Sequence, residues 1–570
     1  MMRLIARALL APFALVLMFA ATPVADQSVV VTPTKPPAAQ TPPAIAKDTP
    51  QKPPATQPPA APLTPTAPPP RAIPADMQAL QAAQKISDND EKLAAIEKWL
   101  EDFPESGGKS QAYSVMFDTL VKHRPTDREA ILGAAQKGID AGNEGFRATG
   151  YSTYATRLLN ANLFLDDAAA ISEKGLTVFE EEEAKRTQMS RANHLATLGR
   201  IRLKQGRVAD AEKALKAAFA ANPEIPGAVI GLAELADQRK DSKTALGYWM
   251  QAALTGRLSK GDRVKFENAY RASNNGSLDG LEAALDAKYK ETSSNPVHPT
   301  PYQATTARSN RVVLAEVFTG AGCPPCVAAD LAFDAAMERY SRKDLVVVMY
   351  HMHIPLPDPL TNKATVERAK YYSVNSVPSF GIDGVMGGGG GGRSNTKMVY
   401  GRIVGDIDRA LEVPTDVSLT LDASLIGGAV KVNAAPGGLK AEGDAVKLQI
   451  LLVEEMLSYS GENGVRFHPV VVRSIGGANY GGFTVDRAAP AAIDHVFDLA
   501  QITDETQKYL DDYEETRAKT QPTFAFSRKP VAMNPANLSV VAFLQDEKSR
   551  KILQSAYLRL GTAATTNGEW

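Results

Sequence analysis

The stretch that decides the fold is VVLAEVFTGAGCPPC, residues 312–326, which runs from an apolar segment into the only two cysteines of a 570-residue chain. Val312–Phe318 is an apolar run of strand length, and large apolar residues recur at helical spacing over residues 333–340. Cys323 and Cys326 are therefore predicted to lie between the end of a strand and the start of a helix.

The position of the cysteines predicts their chemistry. A helix N-terminus has free N–H groups and partial positive charge, which lower a thiol pKa below its free value of about 8.5. Cys323 is therefore predicted to be an exposed nucleophile that attacks a disulfide, and Cys326 the residue that resolves the mixed disulfide. Pro324 and Pro325 lack N–H donors, so we expect them to stiffen the turn and tune its reduction potential.

The cysteine count also favours redox chemistry. An exported fold stapled by disulfides carries several cysteines in varied spacings, whereas this chain has a single close pair. The chain is long enough to form ordinary hydrophobic cores without staples. No cofactor is predicted besides the redox-active pair itself.

Strand and helix patterns alternate after the cysteines. Leu345–Tyr350 is predicted to be a buried strand, Ala364–Tyr372 a helix, Ser379–Ile382 a strand and Lys397–Leu411 a closing helix. This order predicts an α/β domain over residues 309–413.

With SVNSVPSFGIDG, residues 373–384, the CPPC segment resembles the thioredoxin superfamily. The resemblance covers about residues 311–411, and this segment is similar in detail to bacterial exported thioredoxin-like proteins. It implies that Pro378 is the family's cis-proline and that the Val377 backbone pairs with a substrate backbone.

Two positions depart from thioredoxin itself. Gly322 stands where thioredoxins have Trp, and Val317 stands where they keep a buried acid. Glu316 is one position away and is kept as a possible auxiliary residue on the other strand face.

Two histidines follow the second predicted strand. His351 and His353 are candidates to assist proton transfer, and ordinary loop histidines are the alternative. A further alternative is a copper site made of Cys323, Cys326 and His351 or His353.

Gly387–Gly392 is a run of six glycines. It lacks the Lys and Ser or Thr that a phosphate loop needs. A lid near the cysteines and an inert linker are the two interpretations left open.

Residues 77–289 are predicted to form paired helices rich in Ala, Leu, Lys and Glu. A repeat of about 34 residues is visible and resembles tetratricopeptide repeats. The matching residues are Leu198, Gly199, Ala211, Leu215, Ala218 and Pro223, followed by Leu232, Ala233, Ala245, Trp249 and Ala252. The resemblance implies that this region recruits protein clients.

Residues 414–570 contain short apolar runs separated by Gly, Pro and Asn, which predict an all-β sandwich. Residues 451–477 and 534–556 resemble the C-terminal domain of Omp28-like bacterial surface proteins, without implying an activity. His468 and His495 are isolated and are interpreted as ordinary strand histidines.

The rest of the chain predicts export. Residues 1–25 resemble a signal peptide, 26–76 form a Pro-rich linker, and 290–308 form a second, polar linker. We expect a periplasmic or cell-envelope protein of a bacterium, in contact with the membrane only if the signal stays uncleaved. The net charge of -1 argues against nucleic acid as a partner.

Together these patterns predict an exported thiol–disulfide oxidoreductase with protein clients and a thiol or disulfide electron partner. A non-catalytic scaffold with a structural disulfide and a copper-handling protein are the alternatives.

Overall fold

The computed structural model describes residues 74–143, 147–181, 188–521 and 524–560. The predicted signal peptide and the predicted Pro-rich linker up to residue 73 lie outside these ranges. No helix within them is both long enough and apolar enough to cross a membrane.

The first part of the described chain is helical, from Ala75 to Thr292. The helices are α1 (Ala75–Gln84), α2 (Asn89–Asp102), α3 (Lys109–His123), α4 (Arg128–Asp140), α5 (Arg147–Ala161), α6 (Leu165–Glu181), α7 (Gln188–Lys204), α8 (Val208–Ala221), α9 (Pro226–Gln238), α10 (Ser242–Leu254), α11 (Lys260–Ser273) and α12 (Leu281–Thr292). Consecutive helices pack closely in pairs, such as α5 with α6, α7 with α8 and α9 with α10.

Small residues set the spacing of these helices. A Cβ atom on Gly199 of α7 would lie 2.7 Å from Leu215 Cγ of α8. A Cβ atom on Gly231 of α9 would lie 2.5 Å from Cδ2 of the same leucine. Leu215 therefore fills a space that only glycines on both neighbours leave open.

The second part of the chain alternates strands and helices. Its elements are β1 (Val313–Thr319), α13 (Val327–Arg339), β2 (Leu345–His351), α14 (Lys363–Tyr372), β3 (Ser379–Ile382), β4 (Val385–Gly388) and α15 (Thr396–Leu411). β1 pairs with β2 in parallel and with β3 antiparallel, and β3 pairs antiparallel with β4. The element order agrees with the strands and helices expected from the sequence.

The last part of the chain is rich in strands. Its elements are β5 (Ser418–Ile426), β6 (Ala429–Gly437), β7 (Val446–Glu454), β8 (Leu457–Ser458), β9 (Phe467–His468), β10 (Val471–Ile475), β11 (Phe483–Val485), β12 (Ile493–Asp498), α16 (Leu499–Ala518), β13 (Leu538–Asp546) and β14 (Ile552–Arg559). The small sheet β12-β6-β5 is antiparallel throughout.

A separate C-terminal sandwich is not what forms. The strands make one nine-stranded mixed sheet in the order β14-β13-β7-β10-β2-β1-β3-β4, with β11 paired to β7. β10 joins β2 in parallel, and the Met349 N–H donates to Val470 O at 2.9 Å. The predicted boundary between residues 413 and 414 therefore crosses a continuous sheet.

The burial of β13 gives the physical reason. Val541 and Phe543 pack into the core shared with β1, β2 and α13, while Val540 and Ala542 pack against the small sheet. A strand covered on both faces has a nearly continuous apolar run, as VVAFL, residues 540–544, shows. A sandwich strand with one face in water alternates apolar and polar residues.

The region is also not all-β. α16 is 20 residues long and begins at the N-cap Asp498, whose side chain accepts from Gln501 N–H. Its buried residues, Ile502, Thr506 and Leu510, are four apart along one helix face.

The predicted linker 290–308 packs against the α/β region. The Tyr302 N–H donates to Arg339 O at 2.8 Å, and the Tyr302 ring lies 5.1 Å from that of Tyr340.

Arg466, which is buried, donates to Asp286 and Glu282 of α12 at 2.7 and 2.8 Å. The repeat helices are thus joined to the strand-rich part by buried ionic contacts.

Candidate functional site around the cysteine pair

The two cysteines form a disulfide at the start of α13. Cys323 follows the loop after β1, and Cys326 is the N-cap residue of the helix. The turn between them is tight, because Cys326 N–H donates to Cys323 O at 3.1 Å and Cys323 N–H donates to Gly320 O at 3.0 Å. The strand end and the helix start are where the sequence places this pair.

The predicted proline step lies beside the first sulfur. The Val377–Pro378 peptide bond is cis, and Cys323 Sγ is 3.8 Å from Val377 O. Residues far apart in sequence are therefore brought together around Cys323.

The expected exposure of Cys323 is wrong for this structure. Both cysteines are 0% exposed, whereas Pro324 and Pro325 between them are exposed. The cause is a set of three loops, from distant parts of the chain, that cover the turn.

The first covering loop is residues 460–464. The Asn463 N–H donates to Ala321 O at 3.0 Å, and Asn463 Nδ2 donates to Cys323 O at 3.4 Å. Gly461 lies so close that a Cβ atom there would be 2.5 Å from Ala321 O. The loop therefore covers one side of the turn around Cys323 through its backbone and the Asn463 side chain.

The second covering loop is the glycine run. Gly391 N–H donates to Pro325 O at 2.7 Å, and Ala328 N–H donates to Gly391 O at 3.0 Å. A Cβ atom on Gly390 would lie 2.1 Å from Pro325 O and 2.5 Å from Pro378 Cγ. The run therefore touches both the CPPC turn and the cis-proline, which an inert linker does not explain.

The third covering loop follows β2. A Cβ atom on Gly320 would lie 2.6 Å from Ile354 O, and a Cβ atom on Gly322 would lie 2.9 Å from Leu356 Cβ. This packing leaves no room at residue 322 for a large side chain.

Two of these loops are attached to the repeat helices. Arg257, in the α10–α11 loop, donates from Nε to Glu462 O at 2.8 Å, and Gly256 packs against the backbone of Gly461. Arg393, directly after the glycine run, forms an ion pair with Glu224, between α8 and α9, at 3.7 Å. The cover over the cysteines is thus continuous with the repeat region.

His351 positions a loop and does not contact the sulfurs. Its Nδ1 lies 2.8 Å from Asp358 Oδ2, an oxygen that also accepts from Ala321 N–H at 2.7 Å. Burial alone would raise the pKa of Asp358, but His351 and the backbone N–H donors outweigh it and hold that pKa below its usual value. The pair therefore fixes the backbone just before Cys323.

His353 has a packing role. Its ring stacks on Tyr513 at 3.8 Å between centroids, and its Nδ1 accepts from Asp358 N–H at 2.9 Å. Burial lowers the pKa of His353 to about 4, so the ring is neutral at physiological pH. A proton-transfer role for His353 finds no support in these contacts.

Glu316 belongs to a buried ionic network. Its carboxylate accepts from Arg368 at 2.7 and 3.0 Å, from Tyr372 at 2.7 Å and from Tyr350 at 2.9 Å. These partners hold α14 on the sheet and leave no contact with the cysteines. The structure gives Glu316 a structural role in place of the predicted auxiliary one.

Asp330 is a buried acid that was not predicted from the sequence. It lies four residues after Cys326 on α13, is 6% exposed and accepts from Thr319 Oγ1 at 2.7 Å. Burial raises its pKa to about 7. The signal in the sequence is the spacing, because residues four apart lie on the same helix face.

The predicted copper ligands do not come together. Among the described residues, no group of three or more His, Cys, Asp or Glu side chains is arranged to hold a metal ion. His351 is instead held by Asp358, and its ring packs against His468 at 5.0 Å between centroids.

A second feature lies in the repeat helices. A cavity of about 890 Å³ runs along α5, α7 and α9, with a lining rich in Thr, Asn and basic side chains. Arg200 and Lys265 both face Glu234, at 3.7 and 2.7 Å. Its volume lies within the range of about 300–1,000 Å³ that ligand pockets in proteins have.

One comparison with known protein families addresses the helical region. Residues 196–262 match the family model of the tetratricopeptide repeat, which covers α8, α9 and α10 and parts of their neighbours. No curated protein matches the chain.

Similar solved structures were also found. They include PilW, described as a widely conserved type IV pilus biogenesis factor, at 19% identity over 39% of this chain and 97% of that one, with a TM-score of 0.26. Pseudomonas aeruginosa pilF has 14% identity over 38% and 97%, with a TM-score of 0.26. A domain of the outer membrane lipoprotein Omp28 from Porphyromonas gingivalis has 11% identity over 26% and 92%, with a TM-score of 0.16.

The family match confirms the repeat prediction for its segment. Tetratricopeptide repeats form extended concave surfaces that bind other proteins. The helical region therefore indicates a role in protein–protein interaction or as a scaffold.

Proposed function

We propose that the chain is a thiol–disulfide oxidoreductase whose region 309–413 has a thioredoxin-like fold. The observation that carries the proposal is the position of the disulfide at the N-terminus of α13, with Cys323 Sγ 3.8 Å from the carbonyl before a cis-proline. A helix start stabilises a thiolate, and an adjacent backbone carbonyl offers a pairing site for an extended substrate.

The strand pairing supports the same proposal. β1 lies between a parallel partner, β2, and an antiparallel partner, β3, and Pro378 leads directly into β3. This is the arrangement implied by the resemblance of CPPC and SVNSVPSFGIDG to the thioredoxin superfamily.

The reaction uses each cysteine once. In the reduced protein the Cys323 thiolate attacks one sulfur of a client disulfide, forms a mixed disulfide and releases one client thiolate. The Cys326 thiol then loses its proton, and its thiolate attacks Cys323 Sγ. The Cys323–Cys326 bond forms, the second client thiolate leaves, and the client has gained two electrons.

The other parts have matching proposed roles. The repeat region recruits protein clients, and a partner thiol or disulfide protein resets the cysteine pair between cycles. The same steps in reverse oxidise a dithiol client. The place of action we propose is the bacterial periplasm or cell envelope.

The first test traps the intermediate. The reduced Cys326→Ser variant is mixed with disulfide-bonded model proteins, and adducts are mapped by mass spectrometry, with Cys323→Ser/Cys326→Ser as the control. We expect adducts at Cys323 and a reduction potential of the native pair between roughly -270 and -120 mV.

A second candidate function is a scaffold with a structural disulfide. The observation that favours it is the complete burial of both cysteines. A potential below about -300 mV, together with no adduct at Cys323, would support this candidate against the enzyme.

A further inference from the structure

Three carboxyl side chains follow Cys326 at intervals of four residues on α13. They are Asp330, Asp334 and Glu338. Side chains four apart on a helix lie on one face, with Cβ atoms about 5–6 Å from each other. A row of acids therefore leads along the helix from the resolving cysteine to the exposed Glu338.

We infer that Asp330 accepts the proton of the Cys326 thiol and that Asp334 passes this proton to a water-accessible cavity beside α13. The inference rests on the proposed function, since it concerns the resolving step of that reaction. It supplies a proton acceptor from the helix in a chain that has Val317 where thioredoxins have an acid on the strand.

The surroundings of Asp330 suit a group that changes protonation. Thr319 Oγ1 donates to its Oδ1 at 2.7 Å, and the charged or titratable groups facing it are His351, Asp358 and Asp334. Burial is the largest influence and raises the Asp330 pKa to about 7. The carboxyl group can therefore take up and release a proton near neutral pH.

Asp334 is the next group in the row and is less buried. Asn295 Nδ2 donates to its Oδ2 at 3.2 Å, and burial with nearby Glu338 raises its pKa to about 6. A proton moving from Asp330 to Asp334 thus moves between acids of similar strength.

A cavity of about 220 Å³ borders both aspartates. Its other walls include Tyr289 and Lys290 of α12, together with His468. Burial lowers the pKa of His468 to about 3, so that ring is neutral. The volume is large enough for several water molecules, which would complete the route to solvent.

The proton balance of the step is simple. The Cys326 thiol and the Asp330 carboxylate become a thiolate and a carboxylic acid, and the thiolate then attacks Cys323 Sγ. The mixed disulfide breaks and its client sulfur leaves as a thiolate. Asp330 returns to the carboxylate by giving its proton to Asp334 and water.

The test separates attack from resolution. Reduced protein reacts with 5,5′-dithiobis(2-nitrobenzoate), which releases one coloured thiolate when Cys323 attacks and another when Cys326 resolves the adduct. Both rates are followed by stopped-flow absorbance from pH 5 to 9 in the native protein, Asp330→Asn, Asp334→Asn and Asp406→Asn. Asp406→Asn is the matched control, because it is the same carboxyl-to-amide change on the neighbouring helix α15.

We expect Asp330→Asn to slow resolution roughly 100-fold at pH 7 with an unchanged attack rate, since a positioned proton acceptor contributes about 10²–10⁴ in rate. Asp334→Asn should slow resolution less, and Asp406→Asn should match the native protein. Thr319→Val keeps the acid but removes a donor that lowers its pKa, so the inflection in the resolution profile should move to higher pH.

The outcomes are distinguishable. If Cys323 attacks and resolution has the same rate and pH profile in the native protein, Asp330→Asn and Thr319→Val, the proton route is wrong and the oxidoreductase stands. If Cys323 never attacks, the proposed function fails and the proton route falls with it. Should Asp330→Asn not fold, the Thr319→Val and Asp334→Asn profiles decide.

Discussion

Arg368 shows how much of this fold depends on one buried charge. It is 4% exposed, and its guanidinium makes two hydrogen bonds to Glu316 at 2.7 and 3.0 Å between α14 and β1. Tyr350 and Tyr372 also donate to that carboxylate, so the acid is fully surrounded by donors. Removing the cation alone leaves a buried carboxylate with neutral partners.

Arg368→Met should therefore destabilise the protein by about 3 kcal/mol or more, as expected when one partner of a buried pair is lost. The measurement is urea unfolding followed by tryptophan fluorescence and circular dichroism. Lys370→Met, two residues away in an exposed pair with Glu367, is the control and should change little. Equal unfolding midpoints for both variants would contradict a structural role for the network.

Asp330 makes stability depend on pH in a defined direction. Its folded pKa of about 7 is above the usual 3.8, so the folded protein holds a proton there that the unfolded chain has lost. Its stabilising contribution is complete below about pH 4 and is lost as the pH rises through 7. Asp330→Asn should flatten the fall in unfolding free energy between pH 4 and 7, measured by urea titration. A slope unchanged from the native protein would mean that Asp330 titrates normally.

The glycine run acts as a single element over the cysteines. Gly390 has no room for a Cβ atom, because Pro325 O and Pro378 Cγ would lie 2.1 and 2.5 Å away. A Cβ atom on Gly392, two residues on, would meet no atom within 4 Å, and the φ of Gly392 is -68°, which any residue adopts. Replacement of glycine by alanine therefore causes a clash at residue 390 and none at residue 392.

Gly390→Ala should push the loop from the CPPC turn and raise the rate at which dithiothreitol reduces the disulfide by about tenfold, since over-packing costs about 1–3 kcal/mol. Gly392→Ala should leave the rate unchanged. The rates are measured by alkylation and mass spectrometry after timed quenching. Equal rates in the two variants would show that the run does not limit access to the cysteines.

Elements were predictable from the sequence where local pattern decides them. The strand Ser379–Ile382 has the predicted bounds, and α15 begins one residue before the predicted Lys397. α16 was missed although Ile502, Thr506 and Leu510 recur every four residues, because polar and charged residues dominate the rest of its sequence. The burial of Cys323 could not be predicted, since it depends on Asn463, which local patterns do not place near the CPPC turn.

At the scale of the molecule, the loop of residues 460–464 connects the repeat region to the cysteine pair. Arg257 holds the backbone of Glu462 from the repeat side, and the next residue, Asn463, holds the backbone of Cys323 and Ala321. A change at the repeat surface can therefore reach the disulfide through two adjacent residues. Such coupling requires that the loop adopt two conformations, one that covers the cysteines and one that exposes them. The structure, in which the cysteines are buried, has the covering conformation.

Arg257→Ala should raise the rate of disulfide reduction about threefold to tenfold, although the residue lies outside the cysteine region, because it removes a hydrogen bond worth about 1 kcal/mol. Arg271→Ala, which breaks an ion pair within α11, is the control and should have the native rate. Asn463→Ala should raise the reduction rate by a similar factor. In the double variant the change in the logarithm of the rate should differ from the sum of the two single changes, since both residues hold one loop. Strict additivity, or a native rate in Arg257→Ala, would mean that this loop does not couple the repeat region to the exposure of the disulfide.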